Sequence, residues 1–397
     1  MQANRPSTTF IATLAILTVL LLATSTRAVA QEEKLLYSFG TVRMDGAYPQ
    51  AGLILDNAGN LYGTTSGGGA YNEGTVFELM RKAGGHWAQR ILHSFKGGAD
   101  GAHPSANLIF DASGNLYGTT YAGGVHASGT VFELTPEATT GWNEKVLYAF
   151  GSYSGDGTSP SAGLTLDGSG NLYGTTYQGG ADSSGTVFEL IPKASGGWTE
   201  KVLHSFGQGK DGASPYASLI IDAAGNLYGT AFHGGADGFG TVFELTPKAA
   251  GKWAEKVLHS FNGKDGKYPS ASLIFDASGN LYGPTEESIF ELMPKTGGGW
   301  TEKVLHNSGS TGDLIFDGAG KLYGTTYLGG PHDEGTVFEL TREADGKWKY
   351  LVVYSFLGGV DGANPFAGLA IDASGNMYGT TYEGGGDLQG TVFEFTP

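Results

Sequence analysis

The sequence predicts an all-β ring: a seven-bladed β-propeller with four antiparallel strands per blade. Three observations carry this expectation. A segment of the form Asp111-Ala-Ser-Gly-Asn-Leu-Tyr-Gly-Thr-Thr120 is written seven times with small variations, its tyrosines falling at 62, 117, 173, 228, 282, 323 and 378. The spacings are 55, 56, 55, 54, 41 and 55 residues, and a period of that length denotes stacked supersecondary units. The two ends are also out of phase with the repeat and complement one another. Lys34-Leu-Leu-Tyr-Ser-Phe39 is a fourth-strand sequence with no unit before it, and Thr391-Val-Phe-Glu-Phe395 is a third strand with no fourth after it. An open solenoid has no use for that offset and needs polar capping repeats. A ring closed by a split blade (368–397 with 33–39) uses it.

Residues 1–30 have the pattern of a secretory signal peptide. Arg5 supplies the positive start, Phe10–Ala23 the apolar core, and Ala28-Val29-Ala30 the small-x-small cleavage pattern. The expected mature protein is residues 31–397, a single exported domain that is periplasmic, secreted or at the cell surface, with no membrane span. The formal net charge is −16, and loss of Arg5 and Arg27 takes it to −18. A field of that sign repels nucleic acid and anionic membrane. Cysteine is absent, which excludes disulfides, thiolate metal sites and a cysteine nucleophile. The 68 glycines sit at fixed repeat positions between apolar runs, so they read as turns rather than disorder.

Within a unit the strand signals follow in order. In the second unit the first strand is Ala106–Phe110, and a hairpin at Asp111–Asn115 leads to the second, Leu116–Thr120. A loop through Gly123-Gly124 reaches the third, Gly129–Leu134. A polar turn ending at Trp142 opens the fourth, Lys145–Phe150. Apolar residues occupy both faces of these strands, so each sheet needs cover on both sides, as neighbouring blades provide. The short interval belongs to the fifth unit. Its loop between second and third strands shrinks to Glu286-Glu287, where the first unit spends Ser66–Gly74, and the step from His306 to Leu314 is also seven residues shorter than usual. Both losses fall on one end of the ring, which predicts a notch in the fifth blade's rim.

Most repeated polar residues have a structural reading. Asp56, Asp111, Asp167, Asp222, Asp276, Asp317 and Asp372 open hairpins, where a short acceptor followed by Gly suits the turn. A second series, Asp45, Asp100, Asp156, Asp211, Asp265 and Asp361, lies between blades, each followed by Gly and then Pro. Turn chemistry explains it. Ca2+ ligation is the alternative, since carboxylates on Gly-flexed loops suit a hard cation, although the multi-Asp spacing of a calcium loop is missing. Third-strand glutamates (Glu78 to Glu394) face fourth-strand cations (Lys34, Arg90, Lys145, Lys201, Lys256, Lys303), with Leu351 the exception, and read as cross-strand ion pairs. Six tryptophans opening fourth strands read as outer packing. His93, His204, His259 and His306 share a slot with Tyr37, Tyr148 and Tyr354, which excludes a metal ligand or general base there.

The candidate binding residues lie in the loop between second and third strands, at one end of a rigid scaffold. Tyr121, Tyr177, Phe232, Tyr327 and Tyr382 precede its Gly-Gly pair, and His126, Asp182, Asp237, His332 and Asp387 follow it, with Tyr71 in the first unit. Rings of aromatics with polar neighbours stack sugar faces or grip peptide. No nucleophile elbow, phosphate loop or zinc-type spacing is present, so no catalytic residue is named. His103, His126, His233 and His332 are the non-repeated ionisable groups whose convergence an enzyme would require.

Through Asp-x-x-Gly-Asn-Leu-Tyr-Gly-Thr-Thr, Gly-Gly and Gly-Thr-Val-Phe-Glu-Leu, residues 33–397 resemble the GloVer (Gloeo/Verruco) tandem-repeat family. The resemblance implies an exported bacterial propeller and no particular activity. The hairpin alone is similar to those of two-component-sensor and lactonase-like propellers. The sequence departs from the family pattern at Gly283-Pro284-Thr285-Glu286 and at Lys321, which replaces the hairpin Asn. The expectation is a monomeric, non-enzymatic binding module for an extracellular glycan or protein, needing no cofactor, with Ca2+ the one metal compatible with it. An extracytoplasmic lyase, lactonase or glycoside hydrolase with a site at the axial funnel is the alternative, and a structural envelope component the third.

Overall fold

A computed structural model describes residues 32–138, 141–207, 209–307 and 312–397; the expected leader at 1–30 lies outside them. Seven four-stranded antiparallel sheets form the blades of a propeller; beside them the described residues hold two two-stranded ribbons, Gly46–Ala47 with Gly67–Gly68 and Gly157–Thr158 with Gln178–Gly179, and three short 3-10 turns. Blades 1 to 6 span 54–94, 109–149, 165–205, 220–260, 274–306 and 315–355. Blade 7 joins 370–396 to Glu32–Ser38, with Lys34 opposite Glu394 and Ser38 opposite Thr391. The N-terminal strand therefore closes the ring as the end offset predicts.

The repeated Leu-Tyr-Gly-Thr-Thr is explained position by position. In blade 2, Leu116 is fully buried in the layer between blades. The Tyr117 hydroxyl donates to Glu133 at 2.9 Å and has Asp111 as a second acceptor within reach at 3.3 Å, linking strand to hairpin. Gly118 is required by close approach: a Cβ there would stand 2.5 Å from Phe132 Cζ and 2.9 Å from Leu108 Cδ2. Thr119 donates to the Ala162 carbonyl of the next blade at 3.0 Å, and Thr120 pairs with Thr130 at 2.8 Å. The inter-blade threonine bond recurs around the ring and crosses its closure, where Thr380 donates to Ala51 at 3.0 Å. Pro284 takes this position in blade 5 and cannot make it.

Inner strands are shorter than the sequence suggests, Ile109–Phe110 rather than Ala106–Phe110. The preceding residues line the axis and give their carbonyls to the neighbouring blade instead of to a ladder. Fourth strands begin earlier, at Gly141 in blade 2, so the tryptophans lie within them. Each packs on the preceding blade, as Trp142 does on Tyr62 and Trp198 on Tyr117. Glutamates and cations face each other in register, and Arg90–Glu78, Lys34–Glu394 and Lys201–Glu189 close to between 2.5 and 3.6 Å. Blade 6 has Leu351 opposite Glu339. There the unusual Lys321 reaches across the hairpin to Glu339 Oε2 at 2.9 Å and supplies the cation that Leu351 lacks.

Candidate functional site

The residues immediately before each inner strand line a narrow axial channel of about 60 Å³. Asn107 and Asp313, neither of them repeated, bridge it: Asn107 Nδ2 donates to Asp313 Oδ2 at 3.2 Å. The free oxygens are also taken, Asn107 Oδ1 by the Gly52 N–H at 2.6 Å and Asp313 Oδ1 by the Ser272 N–H at 2.7 Å. The channel is thus a floor, and the space above it is a bowl on the end bearing the Gly-rich loops.

The inter-blade connections build that bowl. His103, in left-handed backbone (φ 55°), donates its N–H to the Glu73 carbonyl of blade 1 at 2.9 Å and accepts from the Tyr121 N–H at 3.2 Å. Ser159, Ser214 and Asn364 hold Tyr177, Phe232 and Tyr382 in the same way, at 3.0 to 3.2 Å. A cavity of about 250 Å³ is lined by Tyr177, Tyr216, Phe232, Ser270, Glu286 and Phe366. A second of about 400 Å³ adjoins it through Tyr177 and Tyr216 and is completed by Gln50, Ser66, His103, Ser105 and Tyr121. The rings brace one another: Tyr177 on Tyr216 at 6.0 Å, Phe232 stacked on Tyr268 at 5.2 Å, Tyr327 on Phe366 at 6.0 Å and Tyr48 on Tyr382 at 5.3 Å.

The sequence-derived candidates therefore divide. Tyr121, Tyr177 and Phe232 line the bowl, and Tyr327 and Tyr382 pack on rings beside it. His126, Asp182, Asp237, His332 and Asp387 are exposed. His126, Asp182 and Asp387 stand beside Gly151, Gly207 and Gly40, which follow the outermost strands, so these three belong to the outer rim. The four histidines do not converge. His103 lines the bowl with Nδ1 2.9 Å from the Ser66 carbonyl, while His233 packs on Phe232 and Tyr268. The expected notch is present as a cavity of about 480 Å³ lined by Gly263, Lys264, Gly266, Glu286, Glu287, Ser288 and Asn307. Sequence reasoning missed Tyr216 and Phe366, whose signal was the variable residue after the inter-blade Pro, and the axial Asn107 and Asp313.

The inter-blade aspartates occupy separate connections, each bonded to its own turn and to the outermost strand. Asp45 accepts from Tyr37 at 2.8 Å and from the Gly40 and Gly46 N–H groups, and Asp361 accepts from Tyr354 at 3.0 Å. His93, His204 and His259 stand 3.2 to 3.3 Å from Asp100, Asp211 and Asp265. Against these pairs the next blade presents a glutamate: Glu144 at Asp100, Glu200 at Asp156, Glu255 at Asp211, Glu302 at Asp265 and Glu33 at Asp361. Burial pushes each of the five up to about 7, with the nearby Asp adding to it. One oxygen of each is buried without a hydrogen-bond partner. At Asp45 the glutamate is replaced by Gln89, whose Nε2 donates to Asp45 Oδ1 at 2.7 Å. Among the described residues only His93, Asp100 and Glu144 bring three metal-ligating atoms within 4.8 Å of one another.

The chain matches the Gloeobacter/Verrucomicrobia repeat over residues 24–199 and again over 89–289. It belongs to that family. No curated protein sequence matches this Gloeobacter/Verrucomicrobia repeat protein. Its fold is similar to virginiamycin B lyase from Staphylococcus aureus, at 13% identity and a TM-score of 0.57, covering 92% of this chain and 100% of the lyase. It is also similar to a candidate 6-phosphogluconolactonase from Bacteroides uniformis, at 15% identity and a TM-score of 0.53, covering 81% and 88%. The extracellular domain of a candidate one-component system from B. thetaiotaomicron is a third, at 12% identity and 0.58, covering 91% of this chain and 40% of that one. At these identities the likeness is one of fold.

Proposed function

We propose that this repeat protein is an exported carbohydrate-binding propeller that holds its ligand in the axial bowl and does not transform it. The observation that carries the reading is the bowl's lining. Tyr177, Tyr216, Phe232 and Phe366 offer ring faces, and Gln50, Ser66, Ser105 and Ser270 offer donors and acceptors between them. Aromatic faces beside small polar groups match the alternating C–H and hydroxyl faces of a sugar. The ionisable lining is sparse, and its histidine is occupied by the Ser66 carbonyl and by Glu73, 3.4 Å away.

The test is a glycan array followed by calorimetry with purified protein, alongside chromatography of the incubated ligand. The reading expects binding of an intact glycan, weakened at least tenfold by Tyr216→Ala or Phe366→Ala. Because similar folds include a lyase and a candidate lactonase, conversion of the bound glycan is the outcome that replaces this reading with the enzymatic one. Absence of binding to any glycan overturns it outright.

A further inference from the structure

Resting on that carbohydrate reading, we infer that the ligand is a linear, uncharged oligosaccharide chain lying across the face in a groove that leaves the ring through the blade 5 notch. The position after the paired threonines is aromatic in blades 2, 3, 4, 6 and 7, but Ser66 in blade 1 and Glu286 in blade 5. The aromatic ring is thus broken at two places. Ser66 lines the cavity at one side of the bowl, and Glu286 lines the cavity at the other. Glu286 also lines the notch cavity, so the three spaces adjoin in sequence from Ser66, over Tyr216, to Asn307.

This is the shape of a trough open at its blade 5 end, not of a closed cup. Two shortenings in the sequence accompany it: the blade 5 turn is cut to Glu286-Glu287, and the connection from blade 5 to blade 6 is seven residues shorter than its counterparts. A compact ligand held on the axis has no need of either. The chemistry selects the chain. Lys264, Lys267, Glu286 and Glu287 meet at the notch, and Lys267 is paired with Glu287 at 2.6 Å, so the exit presents nearly balanced charge. The net charge of −16 further disfavours anionic polysaccharides.

The experiment measures affinity against chain length, using neutral di- to hexasaccharides of the cello-, malto- and chito-series. In the unaltered protein a hexasaccharide binds at least tenfold tighter than the trisaccharide of its series. Grafting the Ser66–Gly74 loop in place of Glu286-Glu287 fills the notch and removes that gain, so that tri- and hexasaccharide bind the variant alike. Glu286→Tyr closes the break on the notch side with a single substitution, and it removes the same length-dependent gain should the graft misfold. Equal affinity for tri- and hexasaccharide, or a gain that survives both variants, overturns the chain proposal and leaves the carbohydrate reading standing. Binding of an extended uncharged peptide in place of every sugar, or no glycan binding at all, overturns both.

Discussion

Replacing Glu33, Glu144, Glu200, Glu255 and Glu302 with Gln makes the protein more stable at pH 8 and leaves it unchanged at pH 4.5. Each glutamate is held by burial, and then by the neighbouring Asp, at a pKa near 7 against an ordinary 4.5. A raised folded pKa means the native state grips the proton harder than the unfolded chain. That contribution is complete below pH 4.5, fades as pH rises, and is gone above about 7. His204, His259 and His306 are shifted down by burial and work in the opposite sense below their ordinary pKa, but the glutamates outnumber them. One pKa unit corresponds to about 1.4 kcal/mol, so an undiscounted shift is worth about 3 kcal/mol; partial exposure reduces it to about 1 kcal/mol per site. Gln89 is the native precedent, an amide in the glutamate slot donating to Asp45 as a protonated glutamate would. With an unfolding entropy of about 2.1 cal/mol/K per residue, the five-fold variant gains about 6 °C in Tm at pH 8. Calorimetric melts at pH 4.5 and 8 measure it. An unchanged or lower Tm at pH 8, or an equal shift at both pH values, refutes the proton-holding argument.

Lys321→Asn removes the cation paired with Glu339 and costs about 0.5–1 kcal/mol by urea denaturation; adding Leu351→Lys, which restores the register partner of the other blades, recovers most of it. Gly118→Ala drives a methyl against Phe132 and costs about 1–3 kcal/mol, whereas Gly114→Ala meets no neighbour within 4 Å and costs only its positive φ. Thermal melts compare the two. Chelation with EDTA leaves Tm unchanged, because the inter-blade aspartates already receive protein donors; a fall of several degrees places Ca2+ among them, with His93, Asp100 and Glu144 the first site to mutate.

Blade number, closure and the blade 5 notch were legible because they are properties of a period, and a period survives variation at single positions. The role of Asp111 was legible from turn chemistry alone. The inter-blade glutamates were not singled out, although Glu144, Glu200, Glu255 and Glu302 share one offset before a fourth-strand cation. Their partner Asp lies in the preceding blade's connection, a contact that no local pattern encodes. The bowl was half legible. Tyr121, Tyr177 and Phe232 announced themselves by repetition, whereas Tyr216, Phe366, Asn107 and Asp313 matter because they depart from their repeats. Regularity reports folding, and the axis is where seven regular units must stop being equivalent. The outer-rim His126 and Asp182 were grouped with the aromatics by sequence proximity, but the Gly-Gly turn between them sends the two sets in different directions.

Where a neutral hexasaccharide sits on the protein tests the functional reading most directly. A crystal structure of the complex is expected to show sugar rings against Tyr177, Tyr216 and Phe232, with the chain continuing past Glu286 into the notch. Sugar seated on the outer rim at His126, Asp182 or Asp387, with the bowl left to solvent, contradicts it.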